Sequence, residues 1–186
     1  MRASMRLAAA AVAAAALVGC SATPAPQSER GCGRAPDPSS EFMCFSELLD
    51  EFHTEAATLV IPDGRALVEP APFPDVYNAA GELETHAFER GYGRGDATTG
   101  WLCLWMGQWL HLNANGEDPL PALQQLETVV DTYWFKNDAD PASLQPHLLN
   151  MFTRASLGDG TDLHRYWALN CGLYHEQYPE LPTTVE

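Results

Sequence analysis

Three tryptophans, Trp101, Trp105 and Trp109, recur at every fourth position. On a helix that spacing places side chains on one face. An open stripe of indoles can stack a sugar ring or hold a quaternary ammonium over its π faces. Arg94, a little upstream, would add a cation to such a ligand face. The same spacing also serves a packed core, and burial is the plainer reading. Ahead of the stripe, Arg90-Gly91-Tyr92-Gly93-Arg94-Gly95-Asp96 sets glycine amides before an expected helix start. Glycine amides and a helix N-terminus can together hold an anion. This run, however, follows no convincing strand and lacks the lysine of a phosphate loop. A tight connection using glycine at positive φ is the simpler reading.

The titratable residues offer little organised chemistry. His53, His86, His111, His147, His164 and His175 include no H-E-x-x-H pair, so no metal site is expected. The turns Asn113-Ala114-Asn115-Gly116-Glu117-Asp118 and Asp159-Gly160-Thr161-Asp162 are rich in oxygen ligands. Both lack the alternating spacing and distal glutamate of a calcium loop, and helix capping explains them. No nucleophile elbow is present, and Ser156 is followed by Leu157-Gly158-Asp159 at a helix end. A hydrolase built on this chain would need one carboxyl group in an apolar site. Glu84 and Glu89, close to the tryptophan helix, are the candidates for that acid. No catalytic residue and no cofactor is assigned, and a non-enzymatic role is expected.

The chain carries 25 acidic residues against 10 basic ones, a formal charge of −15, and Lys136 is its single lysine. Such a surface repels nucleic acid and anionic headgroups. Removing Arg2 and Arg6 with a leader leaves the remainder more acidic still.

Those two arginines open a recognisable order. A basic start precedes residues 7–18, which are all Ala, Val or Leu, and then comes Leu17-Val18-Gly19-Cys20-Ser21. The apolar run is shorter than the roughly 20 residues a membrane-spanning helix needs. It fits a secretory signal instead. The end of the run resembles the lipobox of bacterial lipoproteins. That resemblance implies a diacylglyceryl group on the Cys20 thiol and cleavage just before it. Two acyl chains suffice as a stable tether. The expected location is therefore extracytoplasmic, lipid-anchored to the cell membrane, with an envelope protein as a possible partner. The mature part is similar to short tryptophan- and cysteine-containing lipoproteins of high-GC Gram-positive bacteria, and the likeness implies no activity.

Cys32, Cys44, Cys103 and Cys171 remain. An even number in an oxidising compartment implies two disulfides, with three connectivities open. The favoured pairing joins Cys103 to Cys171 between two helices and Cys32 to Cys44 at the base of the stalk.

Four segments follow from these features: a signal peptide at 1–19, a lipidated flexible stalk at 20–37, a helical domain at 38–178 and a frayed tail at 179–186. The stalk is Pro, Ser, Ala, Gly and charge without apolar period. The remaining length suits one core. The domain is expected to be mainly α, a single compact bundle of four to six helices with an irregular Pro/Gly-rich segment and two disulfides. Phe42, Phe45, Leu48, Leu49 and Phe52 recur at helical spacing after Asp37-Pro38, with Glu47, Asp50, Glu51 and Glu55 on the solvent side. Residues 58–68 suggest a small hairpin about Asp63-Gly64, and 81–90 a further helix. Asp96 is expected to cap the central helix, which ends near Leu112. Three more helices are expected over about 118–130, 143–157 and 161–171.

Overall fold

The computed structural model describes residues 39–184, apart from 73, 75, 78, 82 and 85. Cys20, Cys32, the signal peptide and the stalk lie outside the described residues. Six α-helices and two 3-10 turns account for most of the described chain, with two small two-stranded sheets.

The first helix, α1 (Phe45–Ala56), starts later than the spacing suggested. Phe42–Met43 forms a strand, β1, that pairs antiparallel with Phe88–Glu89, in register Phe42 to Glu89 and Met43 to Phe88. The helix then starts at once, because the Glu47 side chain accepts from the Cys44 amide at 3.1 Å. Phe45, Leu48 and Phe52 are buried. Glu47 and Glu55 are buried too, against their expected placement in solvent.

No hairpin forms over 58–68, and among the described residues of 81–90 there is no helix. Residues 57–72 cross the domain without helix or strand, with turns at Ala57-Thr58 and Asp63-Gly64. Val76–Tyr77 (β2) and Leu83–Glu84 (β3) form a hairpin of their own, with Gly81 at φ +77° in the connection. Phe88–Glu89, the partner of β1, is β4. Its strand pairing lets Phe88 join Met43, Phe45 and Leu48 in one apolar cluster.

The central helix, α2 (Tyr92–Ala114), is apolar on every side over residues 101–109, as a helix surrounded by others must be. It begins four residues before Asp96, so Asp96 is not its cap. Gly91 caps it in the left-handed region at φ +94°, and the glycine run continues as helix. The reason is packing. A Cβ on Gly93 would lie 2.9 Å from the Phe52 amide nitrogen and closer still to the Leu48 carbonyl. Glycine is required there for α1 and α2 to approach, not for a loop.

Asp118 accepts from the Leu120 amide at 3.0 Å and starts α3 (Leu120–Glu127). Ala122, Leu123 and Leu126 face inward, whereas Leu120 is half exposed. The chain tightens into a 3-10 turn at Thr128–Asp131 and then forms α4 (Tyr133–Asn137), a short helix absent from the expectation. Thr132 caps α4 by accepting from the Phe135 amide at 3.1 Å. It delivers Trp134 and Phe135 to the main core.

Helices α5 (Leu144–Ser156) and α6 (Thr161–Asn170) fall where periodicity put them. Leu148, Met151, Phe152 and Ala155 of α5 and Leu163 and Trp167 of α6 are buried. A 3-10 turn, Gly172–Gln177, follows. Cys103 and Cys171 form a disulfide with Cα atoms 5.5 Å apart, joining α2 to the end of α6. Residues 179–182, expected in the tail, pack against the domain. Leu181 is buried beside Tyr178 and the disulfide, and His164 Nε2 lies 3.1 Å from the Pro182 carbonyl. Among the described residues no helix is long and apolar enough to cross a membrane.

Candidate functional site

The tryptophan stripe is where the sequence offered a ligand face, and the structure encloses most of it. Trp101 and Trp109 are 1% and 2% exposed, and only Trp105 is part-buried. Their indoles are unavailable as an open stacking surface. Trp101 Nε1 and Trp105 Nε1 instead donate to one oxygen, the Val60 carbonyl, at 2.7 and 2.8 Å. Two indole donors therefore pin the irregular segment 57–72 against α2. A buried polar group without such a partner would cost about 1–3 kcal/mol, so the pair fixes the position of that segment.

Further bonds hold the same segment to the C-terminal turn. The Gln177 side-chain amide donates to the Ala66 carbonyl at 2.8 Å, and its oxygen accepts from the Ala66 amide at 3.1 Å. The Val68 amide donates to Tyr174 Oη at 3.3 Å. Arg65 donates to the Gln177 carbonyl and stacks 3.9 Å over the Tyr178 ring. Tyr178 Oη donates to the Leu104 carbonyl at 2.7 Å, and burial pushes its hydroxyl up to about 12.

Two cavities adjoin the ends of the stripe. One, of about 270 Å³, has Trp101 at its floor, with Thr58, Leu59 and Val60 on one side and Gln125, Thr128, Asp131 and Thr132 on the other. The second, of about 230 Å³, lies between Trp109, Leu123 and Ala155, with Asn113, Asp118 and Ser156 among its polar lining.

The arginines of the glycine run do not await an anion. Arg90 donates to Glu47 at 2.7 Å and to the Ser40 carbonyl at 3.2 Å. Arg94 lies 3.1 Å from Glu51 and 3.2 Å from Asp138, and stacks over Tyr133. Glu51 also accepts from the Gly91 amide at 2.9 Å. The negative charge favoured at the start of α2 is thus supplied by α1. Arg94 is not part of a ligand face with the tryptophans.

The acids considered for hydrolysis are differently placed. Glu89 is exposed on β4, and the Glu84 side chain lies outside the described residues. The buried carboxylates are Glu47, paired with Arg90, and Glu55, which accepts from Thr98 Oγ1 at 3.2 Å. Sequence reasoning missed Glu55, although it stands seven residues after Leu48 and three after Phe52, on the inward stripe. Asp96, expected at the helix start, is half-buried within the first turns of α2. Burial holds its carboxyl above the usual value.

Histidines mostly meet carboxylates or backbone carbonyls. His53 lies 2.9 Å from Glu69, His111 2.5 Å from Glu180, and His175 3.1 Å from the Trp167 carbonyl. Among the described residues no three His, Cys, Asp or Glu side chains are grouped to hold a metal ion. The oxygen-rich turns act as caps and ion pairs. Asp159 Oδ1 accepts from the Thr161 amide at 3.1 Å, while Arg154 bridges Asp159 and Asp162. Hydrogen bonding from Thr161, then from Arg154, holds the Asp159 carboxyl at about 2.

Comparison with known proteins finds no match: no family model fits the chain, and no similar curated protein or solved structure is found. What the geometry defines is a class, a mainly α-helical domain built around one buried helix and stapled by the Cys103–Cys171 disulfide.

Proposed function

We propose that this chain is an extracytoplasmic lipoprotein, tethered through Cys20, whose domain acts as a non-enzymatic accessory or binding module of the cell envelope. The observation that carries the location is the buried Cys103–Cys171 disulfide. Stable disulfides belong to oxidising compartments, and a secretory signal with a lipobox at Cys20 provides the route. A second staple, Cys32–Cys44, belongs to the same reading. Cys44 is a disulfide cysteine, and with Cys20 lipidated and Cys103 paired to Cys171, Cys32 is its remaining partner.

The binding role rests on how the polar groups are used. Glu47, Glu51, Asp138, Asp159 and Asp162 are engaged by arginines, and the Trp101 and Trp105 N–H groups by Val60. The acidic surface excludes nucleic acid as a partner. Replacing Cys20→Ala in intact cells should move the protein from the membrane fraction to the medium or a soluble extract. Labelled lipid still incorporated by that variant would refute the anchor. Crosslinking from intact cells should then yield a discrete envelope partner.

A second reading, a hydrolase of envelope polymers, is favoured by one observation. Burial raises the Asp96 carboxyl above its ordinary value, the direction a general acid needs. It joins Glu84 and Glu89 as a candidate. Envelope-polymer cleavage by wild type that is lost in Asp96→Asn, with the melting curve preserved, would favour this reading.

A further inference from the structure

We infer that the 270 Å³ cavity between the 57–72 segment and the α3–α4 connection is a binding site for a small primary ammonium, a conclusion that rests on the binding-module reading and names its ligand class. The argument is one of donors and acceptors. Each of the three threonines lining the cavity has already committed its hydroxyl hydrogen to a backbone carbonyl. Thr58 Oγ1 donates to Glu55 at 2.8 Å, Thr128 Oγ1 to Gln125 at 2.7 Å, and Thr132 Oγ1 to Val129 at 2.8 Å. A hydroxyl carries one donor and two lone pairs, so what Thr58 and Thr128 have left to offer the cavity is acceptors. Thr132 has also used one lone pair on the Phe135 amide.

The Asp131 carboxylate adds a charged acceptor. Lys136 Nζ stands 3.6 Å from Asp131 Oδ1 and donates to the Asp131 carbonyl at 2.8 Å. Asp131 Oδ2 has no described partner. The Gln125 amide, half-buried at the wall, also has none among the described residues; its oxygen is a further acceptor and its NH2 the one side-chain donor left to the lining. The indole N–H of Trp101, which would serve an anion, is occupied by Val60. A lining with more free acceptors than donors, one of them charged, favours a ligand that brings donors, and an alkylammonium brings three N–H groups with a positive charge. The formal charge of −15 draws cations toward the protein and repels anions. Leu59, part-exposed at the rim, provides an apolar patch for the alkyl stem.

The test is calorimetric titration of the full chain with butylammonium, alongside the neutral analogues 1-butanol and glucose. So small a ligand should saturate with a Kd on the order of 1–10 mM. Asp131→Asn should weaken it about threefold to fivefold, the range of an exposed charge pair. Thr128→Val should weaken it independently. Both variants are at exposed positions, and their melting curves should match wild type. No saturable butylammonium binding would overturn the site. So would binding unchanged in the Asp131→Asn, Thr128→Val double variant, or glucose binding as tightly as the amine. These outcomes are read separately from the Cys20→Ala fractionation and the crosslinking, which judge the anchored-module reading itself.

Discussion

Substituting Gly93→Ala separates two opposed effects on α2. Within a helix, alanine is favoured over glycine by about 1 kcal/mol. If the glycine run were a loop before the helix, or an exposed first turn, this exchange would be neutral or stabilising. In the structure the added methyl meets α1. It would stand 2.9 Å from the Phe52 amide nitrogen and from Glu51 Cβ, and nearer to the Leu48 carbonyl. Two of those three obstacles are backbone, so no side chain can rotate away, and α1 must shift as a body. Overpacking of this kind costs about 1–3 kcal/mol, and more where backbone must move. Taking roughly 4 kcal/mol against the 1 kcal/mol propensity gain leaves a loss of about 3 kcal/mol. At roughly 2–4 °C per kcal/mol for a domain of this size, the melting midpoint should fall by about 6–12 °C. Gly172→Ala is the control, because a Cβ there meets nothing within 4 Å and its φ is ordinary. Thermal melts followed by circular dichroism under non-reducing conditions read both. A Gly93→Ala variant that melts at or above wild type would refute the close α1–α2 contact.

Two further outcomes concern cross-links and charge. The Cys103–Cys171 bond closes a separation of 68 residues, worth about 4 kcal/mol in the chain-entropy account. The Cys103→Ala, Cys171→Ala double variant should therefore melt roughly 8–16 °C lower, and a drop below 3 °C would show that the bond constrains little. Asp159 has its folded pKa depressed to about 2 from 3.8, so the stability it confers is present above about pH 4 and is lost as pH falls toward 2. The melting difference between wild type and Asp159→Asn should shrink across that window and shrink with added salt. A difference independent of pH would place the effect elsewhere.

What could be read locally was read well. Helices α5 and α6 announce themselves through Leu148, Met151, Phe152 and Ala155 and through Leu163 and Trp167, and they end where Gly158 and Cys171 suggest. The Cys103–Cys171 pairing was the favoured one of three open connectivities, since Cys103 lies in an apolar helix and Cys171 at the end of another in a chain read as secreted. The start of α2 was not. Three glycines in five residues oppose a helix by propensity, and only the approach of α1 overrides this. The hairpin expected near Asp63 fails for a similar reason. The backbone groups of Val60, Ala66 and Val68 are satisfied by Trp101, Trp105, Gln177 and Tyr174, partners too far along the chain to appear in a local pattern. For the tryptophans, spacing revealed the shared face. It carried no sign that two indole N–H groups converge on one carbonyl oxygen.

The clasp between Ala66 and Gln177 spans 111 residues. A helical domain is usually rich in short-range contacts and closes quickly. Here residues 65–68 of the segment that covers the central helix take their partners from residues 174–178. During synthesis, α1 and α2 can dock as soon as both exist, but Val68, Ala66 and Arg65 remain without their partners until Tyr174, Gln177 and Tyr178 arrive. Without residues 174–178, Arg65, Ala66 and Val68 would lose these partners, while Trp101 and Trp105 would still hold Val60.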